Sequence, residues 1–285
     1  MKILLTGGTG LIGSAVLDAL VSAGHQVTAI VRSQSSSLKV SDQGATGIIG
    51  DLFDAPWLAS ELRGHDAAIH TAAGSDERDP DLNDAVIAAA LDAFGGTDKP
   101  FVHTGGIWIY GDNPSISETD EPQPATLTAW RLAGEQRVLD GDIKGSVVQP
   151  AVVYGRGAGI PAMLVQAAAE DGMLTLIGSG DQHWTTVHVD DLADLYVRVL
   201  EQAPGGKAYV AASGVNPTVR ELGEALTDTV TPESAEATVA RLGLFGEALL
   251  LDQQASGERA RSELGWAPSR PSLVEQLTEG YTDAE

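Results

Sequence analysis

The chain has 285 residues, 43% hydrophobic and 20% charged, proportions of an ordinary globular protein long enough to bury a large core. Its formal charge of -23 leaves no basic surface to displace counterions from nucleic acid or to meet an anionic membrane; solubility or a salt-rich setting accounts for such acidity. With no cysteine there is no disulfide, thiol chemistry or Cys-based metal site, and no run is long and apolar enough to span a bilayer, so a soluble, cytoplasmic protein is expected.

Residues 2–6, KILLT, form an apolar run suited to a buried parallel strand. In the following stretch Leu11, Ile12, Ala15, Val16, Ala19 and Leu20 recur at helical spacing up to a capping Gly24, and HQVTAIV then reads as a second strand. Strand, glycine turn, helix and strand within about thirty residues are the setting in which a glycine fingerprint carries weight. Gly7 permits a tight turn, Gly10 lets backbone approach a pyrophosphate, and Gly13 lets the helix pack closely on the strand. A dinucleotide would place its pyrophosphate at the positive end of this helix. The second strand ends at Val31-Arg32-Ser33, with Lys39 beyond, and offers no carboxylate for a ribose 2′-hydroxyl. A guanidinium and a hydroxyl suit a 2′-phosphate, so NADP(H) is expected over NAD(H), the alternative being that Arg32 is a solvated surface residue.

The motifs TGGTGLIG (6–13), GDLFD (50–54), AIHTAA (68–73), FVHTGGIWIYGD (101–112), QPAVVYGRG (149–157), TTVHVDDLADLYVRVL (185–200) and ELGWAPS (263–269) resemble, almost end to end, the extended short-chain dehydrogenase/reductase family, also called the epimerase/dehydratase family. The resemblance implies an α/β fold: a Rossmann-type doubly wound parallel sheet with a small, discontinuous C-terminal substrate lobe. It implies a cofactor site made of Thr6, Gly7, Gly10, Leu11, Ile12, Gly13, Arg32, Ser33, Asp51, Leu52, Thr71, Ala72, Ala73, Pro150 and Val153. It also implies a Ser or Thr, a Tyr and a Lys for proton transfer. Counting from Tyr110-Gly111 and from Glu135, those positions carry Gly106, Leu127 and Arg131. Leucine cannot transfer a proton, and an arginine stays protonated, though it can hold a ribose or polarise a carbonyl. The pattern is similar to that of atypical family members that keep the nucleotide site and lose the Tyr-Lys pair.

Substitutes within reach in sequence are Thr104, Tyr110 and Tyr154, beside Arg131, with Trp108, His183 and Trp184 as candidate pocket residues. Each has a purely structural reading as well: Thr104 as a turn hydrogen-bonder, Tyr110 as a packed aromatic, His183 as a loop residue. The expected division is a dinucleotide-binding core at 1–154, completed by about 186–212, and a substrate lobe at 155–185 and 213–285. Helices are expected over 218–228, 233–250 and 272–280, and RSQSSSLKVSDQG reads as a flexible stretch. Helices over about 80–95 and 126–140 would carry a homodimer contact if the chain follows the family. The lobe's arginines are scattered, so an uncharged or weakly polar small-molecule substrate is expected rather than a nucleotide sugar. Three functions follow in order: an NADP(H)-dependent oxidoreductase acting on a small carbonyl or alcohol compound; a non-catalytic NADP(H)-binding sensor or regulatory module; and a sugar epimerase or dehydratase.

Overall fold

The computed structural model describes residues 1–74 and 76–281. In chain order the first half runs β1 (Lys2–Thr6), α1 (Leu11–Ser22), β2 (Gln26–Val31), α2 (Gln34–Asp42), β3 (Thr46–Ile49), α3 (Ala55–Arg63), β4 (Ala67–His70), α4 (Asp79–Phe94), β5 (Pro100–Thr104), β6 (Asn113–Ile116) and α5 (Arg131–Asp140). The second half runs β7 (Lys144–Pro150), β8 (Val152–Tyr154), α6 (Ile160–Asp171), β9 (Leu174–Thr175), β10 (Thr186–His188), α7 (Val189–Gln202), β11 (Lys207–Ala211), α8 (Val219–Glu224), β12 (Val230–Thr231), α9 (Ala235–Leu249), β13 (Gln253–Ala255), α10 (Glu258–Leu264) and α11 (Leu273–Glu279). Seven strands form one sheet in the order β11-β7-β5-β4-β1-β2-β3, every neighbouring pair parallel. Three two-stranded parallel ladders, β10 with β8, β12 with β9 and β13 with β6, lie outside it.

The doubly wound sheet expected from the sequence is therefore what forms. The central strands read as unbroken apolar runs because both faces are covered. On one face Leu17 and Leu20 of α1 and Leu192 and Leu195 of α7 pack on Ile3, Leu5 and Val102; on the other Leu58, Ile87 and Val138 cover Leu4, Ala68 and Phe101. A third apolar cluster, with Tyr154, Leu176, Trp184, Leu222, Leu249 and Leu273, holds the chain segments beyond β8 together. The strand order reverses between β1 and β4, and the loops after these two strands bound the cleft where such sheets take ligands.

Three expectations need correction. The serine-rich segment after Arg32 is not flexible: it folds as α2, because the Ser33 side chain accepts from the Ser36 amide as an N-cap and Val40 buries completely. The single helix expected over 126–140 is divided, a short 3₁₀ turn at Thr126–Thr128 preceding α5, which starts only at Arg131. Likewise Gly243, at φ +60, breaks α9 into two pieces. No helix among the described residues is long and apolar enough to cross a membrane.

Candidate active site

The glycine turn between β1 and α1 is built to close tolerances. Gly7 has φ +80, a region that disfavours side chains, and a Cβ there would lie 2.6 Å from the amide nitrogen of Ala72 in the loop after β4. A Cβ on Gly13 would collide with the Gly7 carbonyl oxygen, and Gly13 therefore lets α1 begin directly against the turn. Thr71 ties the two loops together, its amide and hydroxyl both donating to the Thr6 carbonyl. Gly10 differs: an added Cβ would meet only the Gly7 carbonyl oxygen, at 3.5 Å, so its outer side is open. Gly10 is also the N-cap of α1, without a side-chain cap or an acidic residue in the first turn. The amides of Leu11 and Ile12 thus begin a helix whose positive end is uncovered, which fits a dinucleotide's pyrophosphate.

Other expected cofactor residues fall around this turn. Arg32 is exposed directly after β2 and makes no ion pair among the described residues, next to the N-terminus of α2 capped by Ser33. Asp51 is exposed in the turn after β3, its carboxylate accepting from the Phe53 amide, and Leu52 is half-buried against the α3 side of the core. Ala72 is half-buried and Ala73 exposed beside Gly7. Pro150 ends β7 in the core. Val153 lies on β8, and Gly159, at φ +82, packs with both the Val153 carbonyl and the Leu11 side chain at the head of α1 so near that a Cβ there would lie 2.6 Å and 3.3 Å from them. Arg156, at φ +52, fastens the same segment by ion pairs to Asp18 of α1 (3.0 Å) and Asp190 of α7 (2.9 Å).

A buried polar layer caps the ends of β1, β4 and β5. Thr6 Oγ1 lies 2.6 Å from His70 Nδ1, His70 Nε2 lies 3.2 Å from Asn83 Oδ1 of α4, and His103 stacks on His70 with ring centroids 5.5 Å apart. Burial presses the His70 pKa down to about 4 and holds His103 well below its ordinary value, so both rings are neutral near pH 7 and neither is an acid. Above them α5 brings in Arg131, whose guanidinium stacks on the Trp130 ring at 4.4 Å and points Nη1 at the Thr104 carbonyl, 3.4 Å away. Burial lowers its pKa, while Glu135 and Asp79 favour the charged form; starting from an arginine's basicity it stays protonated. Beside it the Gly105–Gly106 turn has no side chains, and a Cβ on Gly106 would meet nothing within 4 Å.

The hydroxyls proposed from sequence are already engaged. Thr104 Oγ1 donates to the His70 carbonyl at 2.6 Å and accepts from Tyr196 of α7 at 2.7 Å. Tyr110 donates to Gln149 Oε1 at 2.8 Å, and Tyr154 donates to the Pro271 carbonyl at 2.9 Å. Burial raises both tyrosine pKa values further, so neither hydroxyl is placed to give its proton to a ligand in the cleft. Trp184, expected to line the pocket, is buried with Nε1 donating to Leu249, and His183 is held by Asp252 at 2.8 Å. Trp108, like His183, is half-buried, its ring edge to face with Phe245 of α9.

With this geometry in hand, comparison with known proteins is decisive at the level of family. The model of the NAD dependent epimerase/dehydratase family matches residues 3–212. The chain belongs to that family. An uncharacterised protein of Schizosaccharomyces pombe is 30% identical to this epimerase/dehydratase-family chain, covering 97% of it and 98% of the relative. The 2-alkyl-3-oxoalkanoate reductase of Stenotrophomonas maltophilia is 31% identical over 78% of this chain and 73% of its own. The solved dTDP-glucose 4,6-dehydratase DesIV of Streptomyces venezuelae, with NAD and TYD bound, superposes with a TM-score of 0.78 at 24% identity, covering 98% and 95% of the two chains. Family membership makes the fold's cofactor an NAD(P) type, and named relatives include both reductases and sugar-nucleotide enzymes.

Sequence reasoning missed two groups of the site. Tyr196, which occupies Thr104, sits on a helix 92 residues away in the chain, and no local pattern joins them. Glu135 lies one turn after Arg131 on α5 and is buried beneath Gly105. Its Oε2 accepts from Gln149 at 2.7 Å, and its Oε1 has no partner among the described residues. The four-residue spacing from Arg131 signals a shared helix face; the burial follows from Gly105 having no side chain.

Proposed function

We propose that the chain is an NADP(H)-dependent oxidoreductase acting on a small carbonyl or alcohol compound. The observation that carries this reading is Arg131: one half-buried guanidinium, oriented by Trp130 and the Thr104 carbonyl, beside the bare Gly105–Gly106 turn. A bound nicotinamide supplies or accepts the hydride that interconverts a carbonyl and an alcohol. Gly7, Gly10 and Gly13 with the head of α1 would hold the pyrophosphate. Arg32 and the N-terminus of α2, with no acidic residue in its first turn, would hold a 2′-phosphate, the basis for NADP(H) over NAD(H). Arg131 orients the substrate oxygen and stabilises negative charge on it. With Thr104, Tyr110 and Tyr154 engaged and both histidines neutral, the proton exchanges with water. Positioning and a fixed charge supply much of a hydride transfer's rate without a side-chain acid.

The test is turnover of NADPH against a panel of carbonyl compounds, with Arg131→Ala beside wild type. Loss of one charge-assisted contact to the oxygen lowers kcat/KM by about 10- to 100-fold. Unchanged turnover in Arg131→Ala removes the role given to it. The engaged hydroxyls favour a second reading, a cofactor-binding sensor without turnover. A sensor discriminates NADPH from NADP⁺ by about a hundredfold or more, near 2.7 kcal/mol, and consumes neither. The outward strip of α4 and α5, the helices expected to carry a homodimer contact, includes the exposed ion pair Asp84–Arg137 at 2.9 Å. Light scattering decides whether two copies associate there.

A further inference from the structure

Arg131 and Glu135 stand one turn apart on α5 and meet two consecutive residues of the turn after β5. Arg131 Nη1 donates to the Thr104 carbonyl at 3.4 Å, a long contact, while the guanidinium stacks on Trp130. Glu135 Oε1 fills the place of a side chain on Gly105, since a Cβ there would collide with it. The other oxygen ends an oriented chain. The Tyr110 hydroxyl donates to Gln149 Oε1, and Gln149 Nε2 donates to Glu135 Oε2 at 2.7 Å. Oε1 is buried and has no partner among the described residues. No ion pair among the described residues includes Arg131 or Glu135, although their spacing on one helix face suits one.

The groups around this pair leave the two to act on each other. Tyr110, on the 3₁₀ turn Ile107–Tyr110, is kept neutral by burial and by Glu135 itself. Gly105, Val147 and Gln149 bring no charge. Arg131 is faced in turn by Asp79 of α4, by Tyr196 of α7, which burial keeps neutral, and by His70 and His103, both neutral near pH 7. Uncharged, the Glu135 carboxyl only fills the space under Gly105. Ionised, it is a buried anion with one hydrogen bond, and the compensation available to it is the guanidinium one turn away.

We propose that Glu135 is a positioning residue for Arg131: its neutral carboxyl leaves the guanidinium at the Thr104 carbonyl, ready for a substrate oxygen, and its carboxylate draws the guanidinium away and lowers turnover. The proposal rests on the oxidoreductase reading above and adds its regulation. Burial raises the Glu135 pKa to about 7, so the change falls in the neutral range, with the protonated, competent form below it and one proton released to solvent above it.

The experiment follows Trp130 and turnover together. Tryptophan fluorescence is recorded between about pH 5 and about pH 9 and the Trp130→Phe signal subtracted, which isolates the ring that carries the guanidinium. Wild type is expected to show a one-proton transition near pH 7, and Glu135→Gln, which keeps the shape and cannot ionise, to show none. In NADPH consumption with a ketone panel, the ratio of Glu135→Gln to wild-type kcat/KM is expected to rise by about tenfold per pH unit above the same midpoint. Gln149→Leu removes the donor that favours the carboxylate and is expected to move the midpoint to higher pH. A flat Trp130 signal in wild type, a transition that persists in Glu135→Gln, a ratio independent of pH, or a midpoint unmoved by Gln149→Leu overturns the proposal. A Trp130 transition that Glu135→Gln abolishes, with no NADPH consumed by any ketone, defeats the oxidoreductase reading and leaves the control of Arg131 by Glu135 standing. Consumption with a flat signal and a flat ratio does the reverse.

Discussion

Glu135 gives the account a prediction with a definite sign. Its carboxyl is buried under Gly105, with one oxygen held by Gln149 and the other unpartnered among the described residues. Burial dominates, and the Gln149 hydrogen bond and the Arg131 charge only partly offset it, so the pKa rises from 4.5 to about 7. In the unfolded chain the same carboxyl ionises near its ordinary value. Between the two pKa values the folded state binds a proton that the unfolded state has released, and stability falls as pH rises through that window. The loss is about 3 kcal/mol once pH exceeds the folded value, at 1.36 kcal/mol per pKa unit. Glutamine keeps the shape and cannot ionise. Urea denaturation of wild type and Glu135→Gln at intervals from pH 5 to pH 8 isolates this group, since every other titration is common to both proteins. The variant's stability relative to wild type rises by about 2–3 kcal/mol across that range, with unchanged m-values. Parallel curves for the two proteins would refute the reasoning and show that Glu135 is hydrated or differently paired.

Two further substitutions separate binding from structure. Arg32→Ala weakens NADPH by about 10- to 100-fold in a fluorescence titration, the worth of a charge-assisted phosphate contact, and leaves NADH unchanged; an equal loss for both cofactors contradicts the 2′-phosphate role. Tyr154→Phe costs about 1 kcal/mol in urea denaturation through the lost bond to Pro271, with kcat within about twofold of wild type. A tenfold drop in kcat at unchanged stability would restore Tyr154 as a proton donor.

The parts of this fold that were legible in the sequence are those set by short-range pattern. KILLT, the glycine turn and the helix after it declare themselves because each glycine's task is met within the strand–turn–helix unit or by the neighbouring strand. The expectation that Gly106, Leu127 and Arg131 stand at the Ser, Tyr and Lys positions rests on counting from Tyr110-Gly111 and Glu135, and is carried by local offsets alone. What stayed hidden depends on contacts between distant segments. Tyr110 and Tyr154 looked available until Gln149 and Pro271 met their hydroxyls, and Thr104 until Tyr196 arrived from α7. The serines after Arg32 read as a loop by composition, yet Ser33 caps a helix that one buried valine anchors.

Transfer of label from the cofactor tests the central claim most directly. The protein is incubated with NADPH deuterated at both C4 positions and a mixture of uncharged ketones, and the products are read by mass spectrometry. The account predicts alcohols carrying one deuterium on the former carbonyl carbon, formed at a rate that Arg131→Ala lowers. Saturable binding of NADPH with all of its deuterium retained and no alcohol formed would contradict it, and would make the chain a reader of the cofactor rather than a user of it.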